Sequence, residues 1–398
     1  MLNTSLAPWP SYTAEEVDAV AEVLTSNRVN YWTGQQCREF EREFAIWTGS
    51  QKAIAVSNGT LALDLALQGL GIGAAYGGSP MDEVIVTPRT FIASISCVVS
   101  AGAIPVFADV DKDSGLITAE TIAAVLTDNT KAIIPVHLAG WPCDMDPILR
   151  LAADRNLKVI EDCAQAHGAL YRGRSVGSIG DVGAWSFCQD KIMTTGGEGG
   201  MITCDDEALW SRMWSFKDHG KSWDAVYNRE HAPGFRWLHE SFGTNWRMLE
   251  MQAAIGRIQL RRMEEWTEGR TRIALRISEA LQNFTSGLAI PLPSAENRHA
   301  FYRLYAYVRP DGLKSGWTRD RIASECMTAG APVYQGSCSE VYLEKAFEGK
   351  TWRQRSRLPV SRHLGETSLM FLTHPTISNE ELERYIAVIN TVMERAVR

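Results

Sequence analysis

Apolar positions change their period along the chain. Thr13 and Glu16 form a Thr-x-x-Glu pattern just before Val17, Val20, Ala21 and Leu24 recur on one face. That is a capping box opening an amphipathic helix. Between residues 53 and 215, short runs that are apolar throughout alternate with helix-like segments. Ala53–Val56, Glu83–Thr87, Pro105–Ala108, Ala132–Val136, Lys158–Glu161, Val182–Phe187 and Met201–Cys204 predict strands. Gly59–Leu70, Ile92–Ala101, Ala119–Leu126 and Met145–Arg155 predict helices. Strands without polar alternation, separated by helices, predict a mostly parallel sheet covered on both faces.

The pattern shifts at Leu249. From there to Leu281 the chain lacks proline, has only Gly256 and Gly269 as glycines, and is rich in Arg, Glu, Leu and Ile. A helix of ~33 residues would span roughly 50 Å and bridge two domains, with a break expected near Gly269. Tyr302–Val308 reads as a strand. Ser378 and Glu381 cap a last helix with Leu382, Tyr385, Ile386 and Ile389 on its apolar face. The expected fold class is α/β: a large mostly parallel-sheet domain, residues 1–250, and a smaller C-terminal α+β domain, residues 251–398.

A chain of 398 residues suits two domains. With 45% hydrophobic and 22% charged residues it is an ordinary globular composition. A net charge of −7 without a dense basic stretch gives no nucleic-acid surface. Eight scattered cysteines, none in a C-x-x-C pair, predict reduced thiols and no zinc site. Met1 to Pro10 has neither the basic nor the apolar region of a signal peptide. No apolar run reaches the ~18–20 residues of a membrane helix. A soluble, cytoplasmic protein is expected.

Three segments carry candidate chemistry, and all fall at strand ends or helix starts, where open α/β sheets bind ligands. Asn58-Gly59-Thr60 opens a helix after a strand, so its free N–H groups and dipole suit a phosphate; alone it reads first as an ordinary cap. Glu161-Asp162 closes a buried strand, with Gln165 and His167 near enough in the chain to line one pocket. Asp162 is either a cap or the partner of a cationic ring nitrogen. Ser186-Phe187-Cys188-Gln189-Asp190-Lys191 leaves an apolar strand ahead of the glycine-rich run Gly196 to Gly200. A lysine there is either an ordinary loop residue or an amine whose pKa is lowered by desolvation, a nucleophile for carbonyl groups. A phosphate anchor, a ring-nitrogen acid and a reactive lysine together match the needs of pyridoxal 5'-phosphate.

Over nearly its whole length the sequence resembles the DegT/DnrJ/EryC1/StrS family of sugar aminotransferases, which have the aspartate-aminotransferase-like fold. The resemblance runs through Phe40-Glu41, Phe44-Ala45, Asn58 to Leu63, Asp82 to Val86, Gly102-Ala103, Pro105 to Phe107, Val136-His137-Leu138, Glu161-Asp162, the Ser-Phe-x3-Lys run and Asn245 to Met248. It implies that Lys191 is catalytic and carries pyridoxal phosphate. Asp162 would face the pyridine nitrogen, Gln165 the ring hydroxyl and Phe91 the ring face. Gly59 and Thr60 amides with the Ser186 hydroxyl would hold the phosphate. Asn245 would reach the neighbouring subunit's phosphate, which implies a homodimer with shared active sites. The implied substrates are L-glutamate and a nucleotide-linked keto sugar, with a UDP-4-keto-6-deoxy N-acetylhexosamine as acceptor, in amino-sugar or surface-polysaccharide biosynthesis. Arg229, Arg236 and Arg247 are candidates for the donor carboxylate. Trp32 and Trp141 either pack on the base or sugar or belong to the core. Two features depart from the family pattern: the extra Gly196, and Cys188-Gln189-Asp190 filling the gap before the lysine. A sugar 3-dehydratase of the same fold is the alternative reading, expected to carry histidine where this chain has Lys191. A non-catalytic regulatory relative is the other.

Overall fold

In the computed structural model, which describes residues 6–230 and 236–398, seven strands form the main sheet. Residues 1–5, part of the stretch read for a signal peptide, lie outside the described residues. The strands are β1 (Lys52–Val56), β2 (Glu83–Val86), β3 (Ile104–Phe107), β4 (Thr130–Ile134), β5 (Lys158–Asp162), β6 (Val182–Ser186) and β7 (Gly200–Cys204). Their order is β1-β7-β6-β5-β4-β2-β3. β3, β2, β4, β5 and β6 pair in parallel, while β7 runs antiparallel to both neighbours. β6 and β7 are buried at every position, as strands covered on both faces must be. One face packs on a core that includes Phe40, Phe44, Leu65 and Trp185, and the other on a core that includes Ile85, Ile133 and Ile148.

A second sheet joins β8 (Leu288–Ala289), β9 (Arg303–Val308), β10 (Val333–Tyr334) and β11 (Ser368–Leu372), antiparallel throughout in the order β8-β9-β11-β10. It shares a core with the helices Met263–Leu281, Arg319–Thr328 and Asn379–Ala396. This is the aspartate-aminotransferase-like α/β fold, with a large mostly parallel sheet and a smaller α+β part. Both expected capping boxes form. The Glu16 carboxylate accepts from the Thr13 N–H at 2.9 Å, and the Glu381 carboxylate from the Ser378 N–H at 2.8 Å.

The long helical stretch breaks, but not near Gly269. It breaks at Arg262, between the helices Glu250–Arg261 and Met263–Leu281. There the guanidinium bonds Glu15 and Glu16 of the first helix at 2.6 and 2.7 Å. Gly269 continues the second helix, and a Cβ there would come 3.2 Å from the Pro375 side chain. Its smallness serves packing rather than a bend. Among the described residues, no helix is long and apolar enough to cross a membrane.

Candidate active site

The carboxyl ends of β1, β5 and β6 open onto one cavity of about 1340 Å³. Gly59, Thr60, Phe91, Asp162, Gln165, Ser186 and Lys191 all line it. Sequence segments more than a hundred positions apart are thus brought together. Asn245 does not line it. That residue lies beside Asp218 through a β-bridge, close to Arg247.

At the helix start, the Asn58 side chain accepts the Leu61 N–H at 2.9 Å. The Gly59 and Thr60 amides, in the first turn, have no intrahelical acceptor. Glycine at 59 is dictated by its neighbour. A Cβ there would sit 2.5 Å from the Ser186 Cβ, so the helix start and the β6 end are pressed together. Two amides and a hydroxyl therefore converge on one spot.

Asp162 is 5% exposed. Its Oδ2 accepts from Ser94 Oγ at 2.7 Å and its Oδ1 from the Ala164 N–H at 3.1 Å. Burial holds the Asp162 carboxyl above its ordinary range, against the pull of Ser94, Ala164 and Lys191. The adjacent Glu161 points to the other face and is fully engaged by His137 and the N–H groups of Gly177, Ile179 and Gly180. The Gln165 amide oxygen accepts from the Ala139 N–H at 2.8 Å, which leaves its NH2 as the end able to donate. Phe91 is 69% exposed at the cavity wall.

Lys191 stands 3.3 Å from Asp190 Oδ1, with its Nζ 5.5 Å from the centre of the Tyr302 ring. Burial pushes the lysine's pKa down, as expected, but Tyr302 and Asp190 push it up further, and the net direction is above the ordinary value. The expectation of a lowered pKa fails because Tyr302 and Asp190 sit next to it. The Tyr302 hydroxyl donates to the other Asp190 oxygen at 2.6 Å. The indole N–H of Trp9 donates to the Lys191 carbonyl at 2.8 Å. The run after it turns on two left-handed residues, Gly196 at φ +85° and Gly197 at φ +126°. Only glycine adopts these readily, so the extra Gly196 is part of the turn.

One further expectation is corrected, and several alternatives left open by the sequence find their places in the single chain. His167 does not line the cavity; it is buried against Trp185 and Phe187, where burial lowers its pKa to about 3. Trp32 and Trp141 also lie outside it. Trp32 packs on Trp214 and donates to Asp218, and Trp141 packs on His299. Arg229 is tied to Asp224 and Glu240 on the surface, and Arg247 to Asp218. Among the cavity residues the sequence reading did not single out are Ser94, Tyr302 and Arg303, and Asp190 appeared there only as filler before the lysine.

The model of the DegT/DnrJ/EryC1/StrS aminotransferase family matches residues 10–390. This chain belongs to that family. A solved aminotransferase structure from Psychrobacter cryohalolentis is 61% identical, superposes with a TM-score of 0.95, and shares 98% of this chain and 99% of its own. GDP-perosamine synthase of Caulobacter vibrioides is 36% identical over 96% of this chain and 97% of its own. The UDP-N-acetyl-3-dehydro-alpha-D-glucosamine 3-aminotransferase of Acidithiobacillus ferrooxidans is 36% identical over 94% of both. The chain is a pyridoxal-phosphate-dependent aminotransferase. The cavity fits that cofactor: a helix start with free amides at Gly59 and Thr60, a buried carboxylate at Asp162 and a primary amine at Lys191 all line it.

Proposed function

We propose that the enzyme moves an amino group from L-glutamate to a nucleotide-linked keto sugar. The observation that carries this is the cavity. At about 1340 Å³, it exceeds the ~300–1,000 Å³ of ordinary small-ligand pockets. It extends past Tyr302 to Gln335, Gly336 and Ser337, with room for a nucleotide. Relatives named for GDP- and UDP-linked sugars support the same reading. The favoured acceptor is a UDP-linked 4-keto-6-deoxy N-acetylhexosamine.

Bound pyridoxal phosphate supplies an electron sink for the donor's α-carbon. The chain's own groups do the rest. Lys191 Nζ would hold the cofactor and, once freed, would take the proton from the donor's α-carbon and return one to the acceptor's carbon in the second half-reaction. Asp162 would pair with the pyridine nitrogen. Keeping that nitrogen protonated by roughly 2 extra pKa units takes about 2.7 kcal/mol, within the ~1.5–3 kcal/mol of a charge-assisted hydrogen bond. Gln165 would donate to the cofactor's hydroxyl and Phe91 would cover its ring. Gly59, Thr60 and Ser186 hold the phosphate, and Asn245 reaches the phosphate of a second subunit. Trp237 and Phe242, 91% and 100% exposed in one copy, support burial in a homodimer. A domain boundary near residue 250 and a cytoplasmic location complete the reading.

The test is spectroscopic. Purified enzyme with pyridoxal phosphate should be yellow, lose that colour with L-glutamate while releasing 2-oxoglutarate, and regain it with one keto sugar from a panel of UDP-, GDP- and dTDP-linked 3- and 4-keto sugars. A Lys191→Ala variant with wild-type turnover would overturn the proposal.

A further inference from the structure

Resting on the aminotransferase reading above, we infer that Arg303 receives a substrate carboxylate held beside the reacting carbon. Among the described residues lining the cavity, the cations are Lys191 and Arg303. Arg303 begins β9, and its guanidinium carbon lies 4.1 Å from the centre of the Tyr302 ring. Lys191 Nζ lies 5.5 Å from the same ring. One tyrosine thus spaces the two charges, within reach of a single small substrate.

The fork of Arg303 is open. One nitrogen donates to the Tyr302 carbonyl at 2.8 Å. No carboxylate of the described residues forms an ion pair with it. The neighbouring acid, Asp190, is bonded by Tyr302 and Lys191, and feels Arg303 only as a more distant charge. Asp320, also in the cavity wall, is held by Arg319 and Gln335. A half-buried guanidinium with free parallel donors is matched by a planar two-oxygen anion. The arginines first considered for the donor lack this setting in their own chain. Arg229 and Arg247 are neutralised by acids, and neither they nor Arg236 line the cavity.

Two substrates bring a carboxylate to this spot: the donor amino acid, or an acceptor sugar whose C6 is a carboxylate. A nucleotide's diphosphate belongs further out, toward Gln335 to Ser337. The experiment compares wild-type and Arg303→Gln holoenzymes in separate half-reactions, with Arg303→Lys as the conservative variant. KM is measured for L-glutamate, and for a UDP-keto sugar with C6 as methyl or as carboxylate. Binding of glutarate, which cannot react, is measured by calorimetry. Losing one charge-assisted bond should raise one KM about 10- to 100-fold, with Arg303→Lys intermediate. A rise for L-glutamate together with weaker glutarate binding assigns the donor. A rise confined to the C6-carboxylate sugar assigns the acceptor, and replaces the 6-deoxy sugar by a uronic acid. Equal rises for both sugars with the donor unaffected would overturn the inference, as would no change in any arm. Wild-type enzyme that fails to convert with L-glutamate would instead sink the aminotransferase reading, whatever Arg303 does.

Discussion

At the scale of single residues, the site is governed by close approaches and by one carboxylate next to the lysine. Gly59→Ala places a methyl group 2.5 Å from Ser186 Cβ, a rigid atom that cannot turn aside. The helix start must move off β6, at a cost of about 1–3 kcal/mol. Cofactor affinity should fall at least tenfold, measured by fluorescence titration of the apoenzyme, while circular dichroism stays native. Asp190→Asn gives a signed pH effect. Lys191 lies above its ordinary pKa because Tyr302 and Asp190 outweigh burial. Removing the Asp190 charge lowers that pKa, so at a given pH more of the amine is neutral. The rate at which apoenzyme turns yellow on adding pyridoxal phosphate should therefore reach its plateau at lower pH than in wild type. An unshifted or alkaline-shifted curve would show that Asp190 does not set the lysine's charge. Asp190 was visible in the sequence only as filler before the lysine. Its role needs Tyr302, 112 positions away, and no local spacing reports that distance. Gly59 and Asp162 stood out because one starts a helix and the other ends a strand, and Lys191 because its loop follows such a strand end; such ends meet where strands run the same way.

Elements show the same division. The strands of the main sheet were readable because burial on both faces makes them apolar throughout. The helix Gln36–Thr48 was recognised only as scattered family residues, although Phe40 and Phe44 on it are fully buried. The strands β8 and β10 are two residues long, too short for any period to register. Arg262, where the helix breaks, is bonded to Glu15 and Glu16, some 246 positions earlier, a contact that glycine-based reasoning along the helix does not register. The N-terminal segment is likewise tied in at a distance. The Ala7 N–H donates to Glu381 at 2.8 Å, the Pro8 carbonyl accepts from Thr376 at 3.0 Å, and the Trp9 ring packs on Trp266. Trp9 also covers Arg270, 4.9 Å from its ring. That segment therefore braces the loop of Lys191 from behind through the Trp9 indole. Trp9→Phe keeps a ring over Arg270 but removes the N–H to the Lys191 carbonyl. A lost hydrogen bond of about 0.5–1.5 kcal/mol should lower kcat several-fold and leave the KM for both substrates unchanged. A change in KM with constant kcat would place Trp9 in substrate binding instead.

The whole molecule carries the strongest test of a shared site. In one chain, Asn245 lies outside the cavity that Gly59, Ser186 and Lys191 line, on the segment that exposes Trp237 and Phe242. A phosphate-binding role for Asn245 therefore requires a second copy, and a two-fold dimer supplies it at both sites. The consequence is complementation. Lys191→Ala and Asn245→Ala homodimers should each be impaired, the first completely. When the two are unfolded, mixed in equal amounts and refolded together, half the dimers are mixed. Each mixed dimer has one site with an intact Lys191 from one chain and an intact Asn245 from the other; its second site lacks both. Activity should therefore recover to about a quarter of wild type. If Asn245 acted within its own chain, no mixed dimer would contain an intact site and the mixture would stay at the mean of the two variants. Sedimentation of the mixture, run alongside, separates failure to dimerise from failure to complement. A monomer in that measurement at micromolar concentration would remove the shared-site reading, and with it the role given to Asn245.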